Sequence, residues 1–129
     1  MIEIPIELTG EGMAAVEAAK DLLQTEELKP NQSTTIAEGV SLTYVVPPGE
    51  TVQDRHGLTY DEAFALHAVI SLAEVTVGGV ATSIVGNYIY DKLKSKKERV
   101  KLKIKRRVTE VERDKITRTI EEEIEVKRD

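Results

Sequence analysis

Cysteine and tryptophan are missing from these 129 residues, and there are only one Phe, four Tyr and two His. Without cysteine, disulfides, thiolate metal sites and thiol nucleophiles are excluded. Two histidines are too few for a His-rich metal site, and no Gly-rich phosphate loop, HExxH, GxSxG or EF-hand pattern occurs. No metal, no cofactor and no enzymatic activity are therefore expected. The scarcity of aromatics leaves Val, Ile, Leu and Ala to build the core. The opening MIEIPIEL has neither a basic n-region nor a continuous apolar h-region, so no secretory signal is expected and the cytoplasm of a prokaryote is the expected compartment.

What is present suits one modest domain over 1–129, with 40% hydrophobic and 32% charged residues. Ile2, Ile4, Ile6 and Leu8 alternate with Glu3, Pro5 and Glu7, the period of a half-buried strand, and Pro5 suggests an edge position. Alanines at 14, 15, 18 and 19 favour a helix over 13–24. Val40, Leu42, Tyr44 and Val46 alternate again as a second strand. These elements make a strand–helix–strand unit over 1–58.

Thr59, Tyr60, Asp61 and Glu62 form a capping-box signature, and the residues after them predict one long helix over 59–97. Its polar and small residues follow helical spacing: His67, Ser71, Glu74, Gly78, Thr82 and Gly86 fall along one face. Gly78, Thr82 and Gly86 form a small-residue zipper, and with Gly79 they suggest a backbone-to-backbone contact, since each interior glycine costs about 1 kcal/mol against alanine. His67 and Glu74 are two turns apart, roughly 10 Å along the axis, too far to act as an acid/base pair. Three roles compete for this helix. It could be a seam for self-association or a protein partner through Ser71, Glu74, Gly78, Gly79, Thr82 and Gly86. It could instead be a membrane-associated or membrane-inserting helix over 63–90, against which Glu74 counts at roughly 2.5–3.5 kcal/mol. The third role is a plain core helix.

The net charge of −5 conceals a basic block, because residues 92–107 carry ten Lys and Arg against Glu98 alone. Nucleic acid is a natural partner for such a block, but the block holds no aromatic residue for stacking. An internal explanation is favoured. Segments 100–111 and 116–126 both alternate, and a three-residue loop at Arg113, Asp114 and Lys115 pairs Leu102 with Val126, Ile104 with Ile124 and Val108 with Ile120. The same register sets Lys103 against Glu125, Lys105 against Glu123 and Arg107 against Glu121. A C-terminal β-hairpin over 98–129 is therefore expected, leaving Lys96, Lys97, Arg99 and Lys101 as the only candidates for an anionic surface.

The order of the helix VGGVATSIVGNYIYDKLK, the basic junction SKKERVKLKIKRR and a terminal charged hairpin resembles the effector-associated constant component proteins of prokaryotic conflict systems, over residues 70–126. That resemblance implies a small non-enzymatic adapter that works by protein–protein contact. The expected architecture is α+β, ordered β-α-β-α(long)-β-β, with a small mostly antiparallel sheet packed on one long glycine-containing helix.

Overall fold

The computed structural model describes residues 2–11, 13–45, 64–73 and 79–128. The fold is α+β. Its strands are β1 (Ile2–Gly10), β2 (Ser33–Ala37), β3 (Val40–Val45), β4 (Phe64–Leu72), β5 (Val100–Ile104) and β6 (Arg107–Thr109). The helices are α1 (Ala14–Leu22), α2 (Gly79–Leu93), which runs into a 3-10 turn at Lys94–Lys96, and α3 (Arg113–Arg128). All six strands join one antiparallel sheet in the order β2-β3-β4-β1-β5-β6.

The alternation read from the N terminus sets up the sheet. Ile4, Ile6 and Leu8 are buried, and their cross-strand partners continue the same face through Ile70, Leu66, Ile104 and Leu102. Val40, Leu42 and Tyr44 extend it on β3. All three helices lie on this side. Their buried residues, among them Ala15, Ala18, Leu22, Val85, Ile89, Leu93, Ile116 and Ile120, join the strand residues in a single core. Burial of each large aliphatic side chain contributes roughly 1.5–3 kcal/mol.

Three expectations need correction. The first is the long helix over 59–97. Residues 64–72 form β4, a strand paired along its whole length with β1 and over six residues with β3. Leu66, Ile70 and Leu72 point into the core at even positions while His67, Val69 and Ser71 point the other way, a period of two hidden by good helix formers. Pairing on both sides overrides the local propensity of Phe-Ala-Leu-His-Ala. The helix that remains, α2, has 15 residues and is about 22 Å long. Among the described residues no helix is long and apolar enough to cross a membrane, so a spanning helix over 63–90 is not formed. The capping box at 59–62, together with Glu74 and Gly78, lies outside the described residues.

The second correction concerns the C-terminal hairpin. The hairpin that exists is β5–β6, turning at Lys105 and Arg106, with Ile104 opposite Arg107 and Lys105 in the left-handed region at φ 60°. Residues 113–128 are a helix. Ile116, Ile120 and Ile124 recur every four residues, a spacing compatible with one face of a strand or one face of a helix. A strand would have put Arg118 and Glu122 on that same face, in the core. A helix turns them outward, where they are exposed.

The third is Pro5, which is not at an edge. β1 is central, between β4 and β5. The Pro5 carbonyl accepts from the Lys105 amide at 2.7 Å, so its nitrogen also faces the β5 side. β5 ends at Ile104 and turns away there, which leaves no ladder partner to miss the absent N–H. One strand was not anticipated at all: β2, whose Thr34, Thr35 and Ile36 are β-branched or apolar and whose hairpin to β3 closes at Glu38 and Gly39, with Gly39 at φ 77°.

Candidate functional site

The residues expected to form one helical seam are divided between two sides of the sheet. Ser71 sits on β4 opposite Glu3 and Ser41, half-buried on the side away from the helices. Thr82 and Gly86 lie on α2, within the helical layer, and Gly79 begins that helix. Glu74 and Gly78 fall outside the described residues.

A close helix contact does occur at the zipper, and its partner is α3 of the same chain. A Cβ on Gly86 would stand 1.9 Å from Thr117 Oγ1, 3.0 Å from Thr117 Cβ and 3.2 Å from Thr117 Cα. Hydrogen alone fits there, and this is the physical reason for glycine inside a helix. One turn earlier, Thr82 is 2% exposed, and its hydroxyl donates to Glu121 Oε1 at 3.1 Å. The other flank of α2 meets α1 differently. The Tyr88 hydroxyl donates to the Leu22 carbonyl at the C-terminal end of α1 and accepts from Gln24 Nε2 at 3.0 Å. Burial raises the Tyr88 pKa above its ordinary value, opposed by the Gln24 hydrogen bond.

The basic block is mostly spoken for inside the protein. Lys94 pairs with Asp91 at 2.9 Å, Lys103 with Glu7 at 3.7 Å and Lys105 with Glu123 at 3.6 Å. Arg107 meets Glu122 at 2.6 Å, and Lys92 lies 5.5 Å from the Tyr88 ring centre. Lys96, expected free, reaches Asp21 at 2.9 Å with its side chain only 18% exposed. This correction has a simple cause: the 3-10 turn swings Lys96 back over α1. Lys97, Arg99 and Lys101 are exposed and have no ion-pair partner among the described residues. Lys105 does meet Glu123, as its charge pattern suggested, although Glu123 stands on a helix. Lys103 finds Glu7 in place of Glu125, and Arg107 finds Glu122 in place of Glu121.

Among the described residues no helix covers the far face of the sheet. Its central row crosses five strands in register: Val45, His67, Glu7, Lys103 and Val108. Glu7 stands between two cationic or potentially cationic neighbours, with His67 Nε2 at 3.7 Å and Lys103 Nζ at 3.7 Å. Both separations exceed hydrogen-bond range, so these are loose electrostatic contacts worth about 0.2–1 kcal/mol. The rows beside it are nearly uncharged. Ser33, Thr43, Val69 and Pro5 make one, and Thr35, Ser41, Ser71 and Glu3 the next. Val108 is 66% exposed at the far end.

No family model, curated protein or solved structure matches the chain. Among the described residues no group of three His, Cys, Asp or Glu side chains is placed to hold a metal ion. Between α1 and the sheet, a void of about 10 Å³ is bounded by Leu8, Ala19, Tyr44 and Leu66. It is barely the size of one water. The grooves between the helices are open and polar, as at Lys20, Asp21, Gln24, Asp91 and Lys92. Sequence reasoning missed the sheet face because it placed 64–72 in a helix; the alternation of Leu66, Ile70 and Leu72 with His67, Val69 and Ser71 was the signal available.

Proposed function

We propose that this chain is a non-enzymatic assembly module that works by binding protein, a further copy of itself foremost. The observation that carries the reading is the one-sided sheet: among the described residues helices cover one face only, while the other carries hydroxyl and aliphatic side chains in sparsely charged rows. Five antiparallel registers hold those rows in place, so binding would not require the surface to be ordered first. The resemblance to adapters of prokaryotic conflict systems agrees with such a role. Thr82 and Gly86 use their close-contact face on α3, so the proposed contact surface is the sheet and its β2 edge.

Sedimentation of the full chain over a wide concentration range tests this. A discrete species larger than the monomer, growing with concentration, is the expected outcome. A chain that stays monomeric up to about 0.5 mM, weaker than any affinity an assembly module would need, overturns self-assembly.

A further inference from the structure

We propose that β2 is the joining edge, and that a second copy of this chain adds its own β2 antiparallel to it across a two-fold axis. The inference rests on the assembly reading above and names the surface that performs it.

The direction of the free backbone groups follows from the hairpin. The Tyr44 amide donates to the Gln32 carbonyl at 2.7 Å, which turns Gln32 inward to β3. Backbone groups alternate along a strand, so Thr34 also faces β3, where it pairs with Leu42. Ser33 and Thr35 between them turn N–H and C=O toward the side that no described strand occupies. A two-fold axis at Thr34 sets Ser33 against Thr35 of the second copy and Thr35 against Ser33 of the second copy. The same two residues thus serve both sides, as an isologous contact requires.

The two edges of the sheet are built differently. β6 has only three residues, includes Arg107, and is flanked by Arg106, Glu110 and Glu112. Shortness and charge are the usual means of keeping an edge unpaired. β2 has five residues, Ser-Thr-Thr-Ile-Ala, with no charge and no proline, in a chain that is 32% charged. Its bulge lies between Thr35 and Ala37 and leaves Ser33, Thr34 and Thr35 in regular register.

Side chains favour the same partner. Ile36, on β2 itself, packs on the core but remains partly exposed, and a neighbouring copy would cover it further. The charges nearest the two ends of β2 are opposite, Lys29 before it and Glu38 after it. Both are exposed and neither has an ion-pair partner among the described residues. Antiparallel pairing brings unlike charges together at each end, whereas a parallel arrangement would set like against like. A strand this short buries little area, so the contact belongs with weak, transient interfaces.

The test uses the full-length chain. Thr35→Pro removes an outward N–H and no ladder bond within the monomer, and it should weaken self-association at least tenfold while far-UV circular dichroism stays unchanged. Arg118→Ala, on the exposed side of α3 in the helical layer, should leave association within twofold. In the wild type, exchange of the Ser33 and Thr35 amides should slow as concentration rises, with the β6 amides unaffected; this readout needs no variant. A wild type that is monomeric throughout defeats the assembly reading and this inference together. A wild type that assembles while Thr35→Pro assembles equally well, or while Ser33 and Thr35 exchange independently of concentration, overturns the β2 edge alone.

Discussion

Helix α2 is held on its two flanks by opposite means. Toward α3 it presents Gly86 and Thr82, and the two helices come so close that a Cβ on Gly86 would overlap Thr117. Toward α1 it extends Tyr88, whose hydroxyl spans the gap to the Leu22 carbonyl and Gln24. The first contact is set by backbone separation and admits no added atom. The second is set by a long side chain and can adjust. Substitutions on the α3 flank should therefore be costly and coupled, and those on the α1 flank mild and nearly additive.

The largest effect is expected from the residues that seat α3. Ile120→Ala empties a fully buried site and should cost about 2–5 kcal/mol in urea unfolding, with loss of helical signal. A cost under about 1 kcal/mol would mean that α3 is not seated in the core. Next comes Gly86→Ala. Alanine gains about 1 kcal/mol of helix propensity, yet overpacking against Thr117 should leave a net loss of roughly 1–3 kcal/mol. In the background of Thr117→Gly the same change should be neutral or favourable, and a double-mutant cycle reads the coupling. Additive effects would show that the helices part without penalty.

On the α1 flank, Tyr88→Phe should cost about 1 kcal/mol, because the Leu22 carbonyl loses a donor that the helix does not otherwise supply. Tyr88 also confers an alkaline dependence. Its folded pKa is raised above the unfolded value of about 10, so its contribution is fully present below pH 10 and is lost as pH rises through the folded value. Stability measured from pH 8 to 11 should fall less steeply in Tyr88→Phe than in the wild type. The smallest contrast is between neighbouring lysines. Lys96→Met, which breaks the pair with Asp21, should cost about 0.2–1 kcal/mol at low salt, and Lys97→Met nothing measurable. Equal effects would show that Lys96 does not bind α1 to α2.

How legible each part was in the sequence depended on which periods its side chains could satisfy. Ile2 to Leu8 and Val40 to Tyr44 have a period of two and nothing else, and both became strands. Ile116, Ile120 and Ile124 satisfy strand and helix alike, and only the placement of Arg118 and Glu122 separates the two. Residues 64–72 carry alanine and leucine, which suit a helix, and their fate was settled by β1 and β3, partners remote in the chain. Gly86 and Thr82 were readable as a close-contact pair, because glycine inside a helix demands a reason. The partner was not readable, since the pattern of 116–126 also fits a strand, which has no helical face to offer. The charge relation between Lys105 and Glu123 survived the change of element, because it depended only on the two segments lying side by side.

The central position of β1 also affects the order in which the protein can form. It is made before the other five described strands, yet its neighbours begin at Phe64 and Val100. At about 5–20 residues per second, Ile2–Gly10 waits for seconds before either flanking strand exists. During that interval Ile4, Ile6 and Leu8 have only α1 and the β2–β3 hairpin to cover them. Of the six described strands the earliest made is therefore completed on both sides only when β5 has also been made.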